Sequence, residues 1–387
     1  MTAAAGGHSP AGRPAGPAGE LRPDQPPIPP TRPASEPASE PVLGLDVLDA
    51  LLGVPPGYPP WRAAEMARRQ RVLATWLSAA EARGMPLRPA AAEHLARVRR
   101  RMADLYAVAD QLAAAHRVTV LKGMRIAAHL PAGLLRESGD VDLVAADQAS
   151  LWGCVLDLRD RYGAVPQGVS VLQPLAGGRL HLGVSMKWPA EEPYLDKPMG
   201  ADVTTCAFSG DFRGVPVRAE PLADTDLCSL FAIAEERFQR KFRAKDLLDL
   251  VALAGVLDRR FGPDLVERVT EPALALCLAP ELRQLVDKAA DWAPLPARWA
   301  DVQAALEPLA VAERAQRGPG RAGMHRLRFG FPLDDRPNGV LAADVHPFDG
   351  GELVRTPLGS CLLVDDPVIP AELHERAVAE ADRLATQ

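Results

Sequence analysis

The stretch Ser138-Gly139-Asp140-Val141-Asp142-Leu143-Val144-Ala145 opens on a turn signal and continues as an apolar run broken only by two carboxylates. In a strand, side chains alternate between faces, so Asp140 and Asp142 share one face while Val141 and Leu143 share the other. Two carboxylates at the start of an otherwise buried strand repel each other and lose solvation unless a cation lies between them. Magnesium, a hard ion that takes oxygen ligands, meets that need. A lone Asp-x-Asp is equally compatible with a plain solvated strand end. The neighbouring segments therefore carry the decision.

Upstream, Val118-Thr119-Val120-Leu121 reads as a short buried strand that runs into Lys122-Gly123 and then a helix over 124–130. Gly123 permits a tight turn, and the helix N-terminus behind it offers free N–H groups to an anion, with Lys122 adding a point charge. Phosphate is the natural guest of such a unit, although the same turn also serves as an ordinary strand-to-helix connection. Downstream, residues 200–208 read as a strand with Asp202 near its start. Asp202 is either a third acid of the same site or an ordinary strand-end carboxylate.

In their order and spacing these pieces resemble the DNA polymerase β-like nucleotidyltransferases. The likeness is to an uncharacterised nucleotidyltransferase family with a Lys-Gly turn, an Arg-x-x-x-Asp-x-Asp-Leu stretch and an Asp on a following strand. Here these are Lys122-Gly123, the run from Arg136 through Ser138, Asp140 and Asp142 to Leu143, and Asp202. A further segment carrying Arg237, Arg240, Lys241, Arg243, Lys245, Asp246 and Asp249 is similar to the Arg/Lys-Asp-x-x-Asp-Leu helix of AbiEii-type toxin nucleotidyltransferases. The Gly-Ser or Gly-Gly turn of other polymerase β-like members is replaced here by Lys122-Gly123.

The resemblance implies an α/β (α+β) fold, a polymerase β-like core with a mixed sheet flanked by helical lobes. It also implies metal-dependent transfer of a nucleoside monophosphate from an NTP to a hydroxyl, with release of pyrophosphate. Asp140, Asp142 and Asp202 would hold two Mg²⁺ ions, with Mn²⁺ as a possible substitute, and Asp202 would help deprotonate the acceptor. Lys122, Gly123, Arg136, Ser138, Lys241, Lys245 and Asp246 would bind the nucleotide or brace the metal site. Lys245 and Asp249 are also spaced to pair in solvent on a helix face. Two alternatives stand beside this reading: a toxin-like enzyme acting on tRNA, and a non-catalytic nucleotide-binding protein.

Composition narrows the partners. A net charge of -6 over 387 residues argues against a general nucleic-acid coat, and 5% aromatic content leaves few platforms for stacking unpaired bases. A small-molecule or peptide hydroxyl is thus the expected acceptor, with the basic segment from Arg237 to Lys245 as the one path suited to RNA. Cys154, Cys206, Cys228, Cys277 and Cys361 lack metal-ligand spacing, which suggests reduced thiols. No apolar run approaches about 18 residues, and no signal-peptide pattern opens the chain, so a cytoplasmic protein without membrane contact is expected.

In chain order, residues 1–42 read as a disordered Pro/Ala-rich tail with too few large apolar side chains to build a core. Residues 43–116 form an N-terminal helical segment, with one helix over 61–83 and another over 88–115 that buries Leu95, Val98, Met102, Leu105 and Leu112. The core spans 117–220: a helix over 148–162 ended by Gly163, strands over 168–173 and 178–188, the Asp202 strand, and a further strand over 211–218. Lys187 closes the second of these, as a phosphate contact or a solvated strand end. Residues 221–317 form a helical lobe broken at Pro272, Pro280, Pro294, Pro296 and Pro308. Gly318-Pro319-Gly320 reads as a linker to a C-terminal appendage, 318–387, in which His325, Arg326 and Arg328, and Asp334-Asp335, read as surface charge.

Overall fold

Four helices precede the first strand: α1 (Leu45–Leu51), α2 (Pro60–Arg69), α3 (Leu73–Ala82) and α4 (Pro89–Ala115). The computed structural model describes residues 43–317, 324–336, 339–366 and 368–386, so the tail over 1–42 and the Gly318-Pro319-Gly320 linker lie outside the described residues. The single helix expected over 61–83 is two. Arg71 adopts φ 61° and the Val72 amide returns to the Ala67 carbonyl at 2.9 Å, a helix end more usual for glycine. The break lets each half bury its own face, Ala63 and Ala67 in α2, and Ala74, Trp76, Leu77 and Ala80 in α3. In α4 the expected stripe Leu95, Val98, Met102, Leu105 and Leu112 is buried.

The core follows as β1 (Val118–Leu121), α5 (Gly123–Ala127), β2 (Asp140–Ala145), α6 (Gln148–Tyr162), β3 (Val165–Pro174), β4 (His181–Trp188) and β5 (Met199–Thr204). Helix α6 starts where the Asp147 carboxylate accepts the Ser150 N–H at 2.8 Å and stops at Gly163, whose φ of 62° only glycine adopts without strain. The strand expected over 211–218 does not form; Phe208 and Arg218 make only an isolated bridge. Asp211 is the reason, because its Oδ1 accepts N–H groups from Arg213, Gly214 and Val215 at 2.7–2.9 Å and coils the segment into a turn.

The helical lobe comprises α7 (Thr225–Gln239), α8 (Ala244–Phe261), α9 (Leu265–Leu276), α10 (Ala279–Ala290) and α11 (Arg298–Arg317). Pro280 lies in the first turn of α10, where no N–H is needed, and Pro294 and Pro296 fall between α10 and α11. Pro272 and Pro308 stay inside α9 and α11, so two expected breaks are absent. Buried Val269, Ala273 and Leu276, and Val302, Leu306 and Ala310, hold those helices together across the lost hydrogen bonds.

The C-terminal segment adds β6 (His325–Pro332), β7 (Asp344–Phe348), β8 (Gly351–Thr356), β9 (Gly359–Val364) and α12 (Ala371–Ala385). Its strands continue the sheet of the core, in the order β1-β2-β5-β4-β3-β6-β9-β8-β7. Strand β6 runs antiparallel to β3, with Phe329 opposite Ser170 and Leu327 opposite Leu172. Arg328, expected at the surface, is 1% exposed; it pairs with Glu352 and donates to Gln173 Oε1 at 2.8 Å. Insertion of β6 between β3 and β9 is what buries it. Arg326 does pair in solvent with Asp365, and Asp335 is exposed.

The fold is a mixed α/β architecture, and among the described strands only β2 and β5 pair in parallel. One face of the sheet is apolar. Val141 and Leu143 of β2, Val184 and Met186 of β4, and Ala201 and Val203 of β5 are buried beside Leu151, Val155 and Leu158 of α6. Each large side chain of that set contributes roughly 1.5–3 kcal/mol. The opposite face receives Asp140, Asp142 and Asp202. No described helix is long and apolar enough to cross a membrane.

Candidate active site

The parallel register of β2 and β5 places Asp142 opposite Asp202 and Asp140 opposite Gly200. Ser185 of β4 lies opposite Asp202 in turn and donates its hydroxyl to that carboxylate. The three acids thus line one cleft of about 700 Å³. Burial raises the pKa of Asp140, and repulsion from Asp142 raises it further. Burial does the same to Asp202, reinforced by Asp142 and Asp140 and opposed by the Ser185 hydroxyl. The anionic form of each carboxylate carries a cost that a nearby cation would relieve.

Lys122 answers part of that charge. It and Gly123 adopt φ of 48° and 43°, a strained pair for which Gly123 is suited and Lys122 is not. The Lys122 amide donates to Ser229 Oγ at 3.2 Å, and its ammonium lies 2.8 Å from Glu236 Oε1 and 3.6 Å from Asp142 Oδ2. Burial works against the ammonium, but Asp142 and Glu236 outweigh it and hold its pKa above the ordinary lysine value. Gly123 is buried and does not line this cleft, and α5 is only five residues long, so the turn fixes Lys122 and leaves little helix dipole for an anion.

Arg136 enters from the loop before β2 and is fully committed on one edge. Its Nε and Nη2 donate to Asp249 Oδ1 and Oδ2, both at 2.7 Å, while the buried Nη1 has no hydrogen-bond partner among the described residues. Ser138 donates to the Asp140 carbonyl at 2.9 Å and takes Met102 Sδ on its own amide at 3.1 Å, which pins the strand start. Lys245, in the first turn of α8, lines the same cleft without any hydrogen bond or ion pair among the described residues. Burial lowers its pKa and Arg136 lowers it further, against the pull of Asp249, Asp140 and Asp142.

Arg71, Arg101, Lys187, Lys197, Arg240 and Arg243 join Lys122, Arg136 and Lys245 around the cleft, so cations outnumber the acids there. Asp246 is engaged structurally. It accepts the Arg243 N–H at 2.7 Å, capping α8, and pairs with Arg240 at 2.6 Å. Lys241 is exposed in the α7–α8 connection and does not line the cleft. No group of three or more described His, Cys, Asp or Glu side chains is arranged to hold a metal. The donor chemistry nevertheless suits a hard divalent ion, since Asp140, Asp142 and Asp202 offer only carboxylate oxygens on one face.

Sequence reasoning did not find Glu235 and Glu236, which α7 carries to the site. Glu236 pairs with Lys122, and Glu235 accepts the Gly210 N–H at 2.6 Å and the Ser209 hydroxyl at 3.3 Å. Burial pushes the Glu235 pKa up to about 7, against these hydrogen bonds and the attraction of Lys122. Glu235 lines a second cavity of about 550 Å³, which shares Lys122, Asp142, Ser185 and Asp202 with the first. The paired acids therefore stand where two cavities meet. Comparison with protein-family models, curated proteins and solved structures gives no significant match to the chain.

Proposed function

We propose that the protein is a nucleotidyltransferase that moves a nucleoside monophosphate from an NTP to a hydroxyl of a small molecule or peptide and releases pyrophosphate. The observation that carries this reading is the in-register pair Asp142 and Asp202, with Asp140 on the same face, in a cleft otherwise rich in cations. A cleft with that charge pattern suits a polyanion whose reacting end meets the acids. Lys245 has no ion pair among the described residues, and a triphosphate would supply the missing anion.

In the reaction the acceptor oxygen attacks the α-phosphorus, a new P–O bond forms, and the bond to the bridging oxygen breaks as pyrophosphate leaves. Asp202, with its raised pKa, receives the hydroxyl proton. Lys122, Lys187 and Lys197 offer charge to the departing phosphates. Mg²⁺ or Mn²⁺ held by Asp140, Asp142 and Asp202 would neutralise the phosphate oxygens. Because no described ligand cluster is preformed, metal affinity should depend on the nucleotide, whose phosphates complete the coordination. Free thiols at Cys154, Cys206, Cys228 and Cys361 support a reducing, cytosolic setting.

The test is incubation with each α-³²P-labelled NTP and Mg²⁺ in the presence of a small-molecule extract or total tRNA. Label should enter a small molecule, with pyrophosphate released, and Asp140→Asn should abolish it. Salt-sensitive labelling of tRNA would favour the toxin-like alternative. A second reading, a nucleotide-binding protein without catalysis, draws on Lys122, whose ammonium already neutralises Asp142. NTP binding that needs no metal and leads to no transfer would select it.

A further inference from the structure

The second cavity has a floor built from one face of five strands. Across from Asp142 and Asp202 come Ser185 and Gly168, and beside them Thr204, Gly183 and Ser170, until the row meets Phe329 of β6. The glycines and serines leave a trough. At Gly183 an added Cβ would approach Ser170 Oγ to 2.7 Å, whereas at Gly168 it would meet nothing within 4 Å. The trough is roofed on one side by α7, through Ala232 and Glu235. Phe329 is 53% exposed at the far end, an unusual position for a phenyl ring on an interior strand.

Charge separates this cavity from its neighbour. The larger cleft is lined by nine Lys and Arg side chains against seven carboxylates, whereas here Lys122 alone faces Asp142, Asp202 and Glu235. A triphosphate belongs in the first, and a neutral or cationic molecule in the second. Resting on the nucleotidyltransferase reading, we propose that the trough from Asp142 to Phe329 is the acceptor site and that it takes a small, flat, hydroxyl-bearing molecule. Its hydroxyl lies toward the paired acids, its planar body lies against Phe329, and a hydroxyl or ammonium donor meets the Glu235 carboxylate. A volume of about 550 Å³ suits a molecule of that size and excludes a folded RNA.

The experiment uses tyramine, which carries a ring, a hydroxyl and an ammonium, in saturation-transfer NMR with the full chain, Mg²⁺ and α,β-methylene-ATP. Binding of a fluorescent ATP analogue is measured separately in each variant. Tyramine should bind the parent protein and weaken about tenfold or more in Gly168→Leu, which fills the trough, and in Phe329→Ala and Glu235→Gln. ATP-analogue affinity should stay within about twofold in Gly168→Leu and Phe329→Ala, since neither residue lines the cationic cleft. Should Gly168→Leu lower the Tm, the other two variants, which only truncate or neutralise, carry the test. Absent tyramine binding, or equal binding in parent and all variants, would overturn the proposal. Displacement of tyramine by total tRNA at physiological salt would also overturn it and assign the trough to an RNA end. Loss of ATP-analogue binding in the parent would defeat the nucleotidyltransferase reading instead, while the tyramine result still judges the trough.

Discussion

Arg136 and Asp249 meet edge to edge through two parallel hydrogen bonds of 2.7 Å, in the lining of the cleft that holds the three acids. Both partners are buried, so removing one strands the other charge away from water. Asp249→Ala should therefore cost about 3–5 kcal/mol in chemical denaturation. Arg136→Lys should not rescue the contact, since a single ammonium cannot meet both carboxylate oxygens.

Asp140 and Asp202 should behave in the opposite way. Their pKa values are raised in the folded chain, so stability associated with their protonation is present at low pH and lost as pH rises through the folded values. Near neutral pH and without metal, Asp140→Asn and Asp202→Asn should each raise the Tm, on the order of 2 °C. Adding Mg²⁺ and ATP should raise the parent Tm and leave the variants unmoved. A parent and variants that respond equally to Mg²⁺ and ATP would argue against carboxylate ligation.

Lys245 and Lys241 form a matched pair for testing the cleft. Lys245 lines it and has no ion pair among the described residues, whereas Lys241 is exposed outside it. Lys245→Met should leave stability equal or improved, because a buried ammonium is replaced by an apolar chain of similar length. Its ATP affinity should fall about tenfold or more in calorimetry. Lys241→Ala should change neither.

Glu235 gives a pH signature. Its folded pKa of about 7 exceeds its ordinary 4.5, so the folded state binds the extra proton and stability declines between those values as pH rises. Glu235→Gln removes that slope. The variant should match the parent near pH 4.5 and exceed it at pH 8 by at most about 3 kcal/mol, with thermal melts across that range as the measurement. A parent whose stability does not fall over this interval would contradict the assignment.

What was legible in the sequence was local. The alternation of Asp140 and Asp142 with Val141 and Leu143 predicts strand β2 and its two faces, and Gly163 predicts the end of α6. The turn of Asp211 and the break at Arg71 were not legible, because a side-chain hydrogen bond and a left-handed residue overrode apolar patterns that continue through them. Partners far apart in the chain were equally hidden. Asp249 is 113 residues from Arg136, and nothing in Ala234-Glu235-Glu236-Arg237 distinguishes these acids from a solvated helix face. Arg328 read as surface charge for the same reason, since only the pairing of β6 with β3 buries it.

That pairing ties the sheet that carries the site to residues made long after it. Arg328 reaches back 155 residues to Gln173, and until β6 has been made β3 presents an unpaired edge two strands from Asp202. A nascent or truncated chain ending before residue 325 would carry Asp140, Asp142 and Asp202 on a sheet open to pairing with another copy. Addition of β6 closes that edge, so a stop codon ahead of β6 favours aggregation over a smaller working core.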